Sequence, residues 1–234
     1  MAQIEGVRWI RLHYAYPTDF PYDILPVMAK HKNICKYMDI ALQHCTDHML
    51  SLMRRHITAA EQDELIARIR REVPGITLRT TLLVGHPGET EEDFKALKQW
   101  VIRQRFDRMG AFAYSDEEGT YANMHYKDDI PQEVKEQRVA EIMAIQEQIA
   151  AEKNEEKVGK TLTTIIDRQE GDYYVGRTEA DSPEVDQEVL IKSPSPTLAA
   201  KEGAKRDEQP VIGEMYEVRI TEVEGFDLYG EITD

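Results

Sequence analysis

The stretch TLLVGHPGETEEDF, Thr81 to Phe94, decides how the chain reads. Its first four residues are β-formers. Pro87-Gly88 suits a type II turn, in which Pro fixes one φ and Gly takes the positive one. Thr90 is a good N-cap, and Glu91, Glu92 and Asp93 favour the positive end of a following helix. The stretch is therefore one strand-to-helix unit, with its turn at the strand's carboxyl end. Ligands of parallel βα folds sit at that end. Read alone, it is a well-made turn. It is not a phosphate loop, because no Gly-Lys-Ser/Thr follows and Glu89 to Asp93 would repel a phosphate.

The same alternation extends in both directions. VRWIRLHY (Val7 to Tyr14) reads as a strand and YDILPVMAKH as a short helix with Pro26 in its first turns. ICKYMDIAL is the next strand and DHMLSLMRR is helical. Thr58-Ala-Ala-Glu61 is a capping-box pattern opening a helix that Pro74-Gly75 stops. ITLRTTLLV and RMGAFAY are strands on either side of a helix from Thr90 to Arg105. Pro131 suits a first helical position, and a long helix follows to Val158, ended by Gly159. Strands separated by helices imply parallel pairing through right-handed crossovers. Four such units make about half of a barrel. With a first strand six residues from Met1, the chain reads as starting mid-fold. An incomplete barrel leaves the first strand's edge unpaired, which predicts marginal stability or self-association.

After Gly159 the texture changes to short alternating segments: TLTTIID, YYVGRT, EVLI, YEVRITEVE and LYGEI, punctuated by Gly171, Gly213 and Gly225. This is the pattern of a small five-stranded barrel. Lys192 to Pro210, rich in Pro, Ser, Ala and charge, reads as a mobile loop. The predicted organisation is a partial α/β (βα) barrel over 1–130, a connecting helix over 131–157 and an all-β barrel over 158–234.

The net charge of the 234 residues is −15. Such a chain repels nucleic acid unless its basic residues cluster, and suits a basic partner. No run approaches the roughly 18 apolar residues of a membrane span, and the first residues lack a secretion signal's pattern. Two cysteines, Cys35 and Cys45, make no disulfide framework, and a reduced compartment fits. The expectation is a cytoplasmic protein without membrane partners.

Several linked motifs, in order, carry a resemblance. RTTLLVGHPGETEEDF resembles the fifth-strand segment of radical S-adenosylmethionine enzymes of the methylthiotransferase family. DIALQHCTDHMLSLMRR resembles the family's fourth-strand segment, AYSDEEGTYA the segment after its sixth strand, and the second barrel a TRAM domain. VGRTEADSPEVD and YEVRITEVEGFDLYGEI resemble the branch that modifies an aspartate of ribosomal protein uS12. The resemblance implies the last four βα units of a radical S-adenosylmethionine barrel followed by a five-stranded TRAM barrel.

It also implies a chemistry. Two 4Fe–4S clusters serve the full-length family. One donates an electron to S-adenosylmethionine, giving a 5′-deoxyadenosyl radical that abstracts hydrogen from the β-carbon of the target aspartate. Sulfur is inserted from the second cluster, and another S-adenosylmethionine supplies the methyl. The family's Cys-x3-Cys-x2-Cys and three further cysteines do not occur among these 234 residues, and two thiols do not hold a cluster. The chain alone is expected to be a transferase fragment without activity. By position, S-adenosylmethionine would meet Gln43, His44, Leu83, Val84, Gly85, Tyr114 and Ser115. Strand backbone near Leu83 and Val84 would lie against adenine, with Gly85 permitting close backbone approach. Asp181, Glu184, Asp186, Asp227 and Tyr229 are candidates for docking the basic substrate uS12.

Other residues have plainer readings. His44, Cys45 and His48 lack a zinc spacing, and His86 reads as a turn residue. Arg54, Arg55 and His56, and Arg68, Arg70 and Arg71, read as solvated helix faces. Of Tyr173 and Tyr174, which could stack on bases, one is expected buried and one exposed. Asp116, Glu117 and Glu118 read as a solvated loop, or as an edge that receives a basic substrate. Val134, Ile142, Ile145 and Ile149 read as the buried face of the long helix.

Relatives that modify tRNA are the first alternative, and a non-catalytic module docking a basic protein is the second. From Gly159 to Asp234 there are eight Lys and Arg against eighteen Asp and Glu. That excess makes tRNA an unlikely partner of the second barrel and favours a basic protein.

Overall fold

A computed structural model describes residues 1–193 and 209–233. The chain divides into two compact units, Met1–Ala150 and Ala151–Asp234. Residues 194–208, most of the segment read as a mobile loop, lie outside the described residues.

The first unit carries four parallel strands, β1 (Ile10–Ala15), β2 (Ile34–Gln43), β3 (Thr77–Val84) and β4 (Arg108–Ala113), hydrogen-bonded in the order β1-β2-β3-β4. Between them run α1 (Ile24–Lys30), α2 (Asp47–Leu52), α3 (Ala59–Glu72) and α4 (Glu91–Gln104); α5 (Tyr121–His125) and α6 (Gln132–Glu155) follow β4. The Thr58–Glu61 capping box forms as predicted. Thr90 makes a second one with Asp93, satisfying orphan amides at both helix starts. The short helix α5, capped by Thr120, had no counterpart in the sequence reading. β1 starts three residues later than expected. The preceding chain turns instead, with Val7 N–H bonded to Ile4 O and Asn33 Nδ2 donating to the carbonyls of Ala2 and Val7.

Helices cover one face of this sheet. Met38, Ile40, Leu42, Leu78, Leu82, Val84, Met109 and Ala111 point into a core closed by α1, α3, α4 and α6. The strand period of two sends Asp39, Arg79, Thr81, Leu83, Arg108 and Phe112 to the other face. There the side chains stay half-exposed, and Phe112 is 61% exposed.

In the second unit, β5 (Thr161–Glu170), β6 (Tyr173–Thr178), β7 (Val189–Lys192), β8 (Met215–Glu224) and β9 (Asp227–Ile232) close a barrel in the order β5-β6-β7-β9-β8. The β7–β9 pair is parallel and the other pairs are antiparallel. Ile166, Tyr174, Val189, Ile191, Val218, Ile220 and Leu228 fill it. Tyr174 is buried and Tyr173 is not.

Two sequence expectations need correction here. α6 does bury Ile142 and Ile149, but Val134 and Ile145 are only half-buried. Its buried stripe instead runs through Lys135, Arg138, Ile142, Gln146 and Ile149, because charged partners await the two cations. The arginine clusters are not simply solvated either. Arg55 donates to Ala41 O and lies 4.3 Å over the Tyr16 ring. Arg70 donates to the terminal α4 carbonyl of Gln104 at 2.5 Å.

Candidate functional site

The strand ends of the first unit are shaped by one carboxylate. Glu89 is fully buried in its side chain. Its Oε2 accepts the Gly85 amide at 2.6 Å and Arg138 Nη1 at 2.6 Å, and its Oε1 lies 3.1 Å from His44 Nε2. Arg138 also pairs with Glu91. The carboxylate thus ties together the residue after β2, the turn after β3 and α6. A carboxylate is tolerated in such a place only when paired and fully hydrogen-bonded.

The turn itself forms as the sequence suggests. Glu89 N–H donates to His86 O, and Gly88 has φ +88. His86 is not merely a turn residue. Its ring is buried, edge-on to Tyr114 and Tyr126, and burial lowers its pKa.

Around it, Asp93 accepts from Thr90, Thr46 and His48. Burial alone would raise its pKa. These hydrogen bonds, with a fourth from the Thr90 amide, outweigh burial and hold it at about 2.

Gln43 ends β2 with φ +70, and His44 N–H bonds back to Leu42 O at 2.9 Å. This is a classic-sense γ-turn, a strained conformation kept only when its surroundings over-determine it.

The seven residues expected at the cofactor separate into two groups. Gln43 and Leu83 are half-exposed and Ser115 is exposed, so all three are accessible. His44 is 0% exposed, which corrects its assignment as a cavity-lining side chain; the Val84 side chain is also 0% exposed, which leaves only its backbone to face the open side. His44 is spent on Glu89 and on the Thr46 amide, and Val84 belongs to the helix-side core.

Gly85 admits a close approach of Lys135 on the side where a Cβ would stand. A Cβ there would stand 2.4 Å from Lys135 Cγ. Tyr114 is buried too. Its hydroxyl donates to Asp116, and burial, then that acid, pushes its pKa up to about 12.

Lys135 closes this corner, with Nζ 2.5 Å from Asp128 and 3.5 Å from Tyr114 O. Sequence reasoning missed Glu89, Lys135, Arg138 and Phe112. The signal for the two cations was their spacing, in phase with Ile142 and Ile149. Phe112 pairs in register with Leu83 on the open face, so the two form an apolar shelf beside Gln43. That shelf fits the flat apolar body of an adenine.

On the second unit, Asp181 is 0% exposed and accepts from Thr178 Oγ1 at 2.6 Å, so it shapes a loop rather than meeting a partner. Asp186 accepts the Ser182 amide and Asp227 the Glu188 amide. Glu184 is exposed, and Tyr229 packs edge-on against Tyr173.

The radical SAM superfamily model matches residues 2–101 and the TRAM domain model residues 158–233. The chain is 59% identical over 232 residues to the ribosomal protein uS12 methylthiotransferase RimO of Phocaeicola vulgatus, covering 99% of this chain and 51% of that protein. Its two units are thus similar to a radical SAM unit and to a TRAM domain, and the whole chain is similar to about half of a radical S-adenosylmethionine methylthiotransferase. The RimO of Parabacteroides distasonis is 57% identical over 232 residues, again covering 99% of this chain and 51% of the relative. The chain spans about half the length of the curated relatives it matches. Among solved structures, coproporphyrinogen III oxidase of Escherichia coli, a radical SAM enzyme, matches with a TM-score of 0.48 and 19% identity, covering 62% of this chain and 32% of that one.

The family uses S-adenosylmethionine and 4Fe–4S clusters. The cysteines present do not fit a cluster. Cys35 and Cys45 are both buried, and burial pushes the Cys45 thiol up to about 12, away from the thiolate a metal needs. Among the described residues no group of three or more His, Cys, Asp or Glu side chains is placed to hold a metal ion. No helix among them is long and apolar enough to cross a membrane.

Proposed function

We propose that this chain supplies the S-adenosylmethionine-facing sheet and the substrate-docking TRAM barrel of an enzyme that adds a methylthio group to the β-carbon of an aspartate of ribosomal protein uS12. The observation that carries this reading is the 59% identity to a uS12 methylthiotransferase, which covers 99% of this chain and so extends over both units.

S-adenosylmethionine, when bound in the loaded enzyme, supplies both the hydrogen-abstracting group and the methyl. The residues here bind and orient it. Leu83 and Phe112 offer the adenine an apolar shelf, Gln43 and Ser115 offer polar edges, and Gly85 and Tyr114 hold the strand ends in shape behind it. With no cluster ligands of its own, the chain alone is inactive.

The TRAM barrel docks uS12, with Glu184 and Tyr229 as accessible contacts and Asp186 and Asp227 at the loops beside them. Its acid excess attracts a basic ribosomal protein and repels tRNA. The working compartment is the cytoplasm, where ribosomes and uS12 are.

A chimaera tests this. In a full-length uS12 methylthiotransferase, the matching half is exchanged for this chain, and uS12 is examined by mass spectrometry after reaction. Methylthiolation of the target aspartate is the expected result. A folded, cluster-loaded chimaera that cleaves S-adenosylmethionine but leaves uS12 unmodified and modifies tRNA instead would overturn the assignment.

A further inference from the structure

We propose that Arg138 is a positioning residue for the S-adenosylmethionine site: through Glu89 it fixes the turn after β3 and the strained end of β2, without touching the ligand. This rests on the cofactor reading above.

Nothing about helix formation asks for a buried arginine in the middle of α6. Arg138 is 5% exposed, and its Nε has no hydrogen-bond partner. Burying a guanidinium is costly, and a well-packed apolar residue in its place is often as stable or more so. Stability alone therefore does not account for it. What the arginine does is geometric.

Its Nη1 holds Glu89 Oε2, the atom that also accepts the Gly85 amide. The other carboxylate oxygen faces His44. His44 directly follows Gln43, whose φ of +70 needs external support. The order of contact is Arg138, Glu89, then Gly85 on one side and His44 with Gln43 on the other. Glu91 takes the second nitrogen of the guanidinium, which fixes the fork's plane. One turn earlier on α6, Lys135 fills the space at Gly85 and reaches the Tyr114 carbonyl, so the same helix face supports the ends of β3 and β4.

The test uses the full chain and S-adenosylmethionine in equilibrium dialysis, with amide hydrogen exchange over residues 85–90 and thermal melting as separate readouts. Arg138→Met is expected to weaken S-adenosylmethionine binding about 10–100-fold, as loss of an outer-shell partner does elsewhere, and to expose the Gly85 amide to exchange. Arg138→Lys keeps the charge but not the fork, and should recover binding only in part.

The pair Arg138→Met with Glu89→Gln removes the unpaired buried carboxylate, so melting should return toward that of the parent while binding stays weak. Recovery of binding together with melting would mean that Arg138 serves stability only, and would overturn the proposal. So would unchanged binding in Arg138→Met when the parent chain binds. If the parent shows no saturable binding, the cofactor reading falls. The proposal falls with it, and unchanged protection at Gly85 in Arg138→Met refutes it even where the parent binds.

Discussion

Lys135 lies on Gly85 so closely that a single added carbon would collide with it: a Cβ at residue 85 would stand 2.4 Å from Lys135 Cγ and 3.0 Å from its Cβ. The backbone there also has φ +73. Two independent penalties follow, one conformational and one steric. Gly85→Ala should destabilise the first unit by about 2–4 kcal/mol, read as a lowered urea midpoint. A stability within 0.5 kcal/mol or so of the parent, the usual range for a neutral surface change, would show that Lys135 yields easily.

Asp93 makes stability depend on acid pH. Its pKa in the folded chain is about 2, below the ordinary 3.8. A carboxylate with a depressed folded value stabilises above its unfolded value, and that contribution is lost as pH falls through the folded one. The chain should therefore lose stability between roughly pH 4 and pH 2. Asp93→Asn should flatten that part of the profile and cost about 1 kcal/mol at neutral pH through the broken capping box. Melting curves across the range decide it.

Arg70 and Arg71 are neighbours in sequence with different consequences. Arg70 caps the end of α4 through Gln104 O and Gln104 Oε1. Arg71 makes an exposed pair with Glu64, at 3.3 Å. Arg70→Met should cost about 1–2 kcal/mol, whereas Arg71→Met should cost less than about 0.5 kcal/mol. Equal losses on chemical denaturation would mean that the cap is not a real contribution.

The TRAM barrel offers a parallel contrast. Asp181 is enclosed with Thr178, whereas Glu184 is exposed. Asp181→Ala should destabilise the barrel by about 1–3 kcal/mol, since a buried hydroxyl and amide lose their acceptor. Glu184→Lys should leave melting unchanged and weaken binding to a basic protein. If Glu184→Lys leaves uS12 binding intact, that surface is not the dock.

The order of strands and helices was legible because apolar periodicity and caps are local. Thr58-Ala-Ala-Glu61 and the turn at Pro87-Gly88 formed as read, and so did the five short strands of the barrel. The site was less legible. His44 reads as a polar side chain available to a ligand, but Glu89, 45 residues later, encloses it. Lys135 and Arg138 are passed over because any count of apolar residues skips them. Only Asp128 and Glu89, brought in by the fold, make their burial tolerable. Pairing across the sequence carries no local signal, which is why an apolar count finds Ile142 and Ile149 on the buried face of α6 but not Lys135 and Arg138.

The most direct measurement is a titration of the chain against purified uS12 at two salt concentrations, with tRNA as competitor. Saturable uS12 binding that weakens at higher salt and resists tRNA is the expected result, since the barrel's acid excess should act on a basic protein within a Debye length of about 10 Å at 0.1 M salt. Preferential binding of tRNA would contradict it and assign the chain to a tRNA-modifying branch of the family.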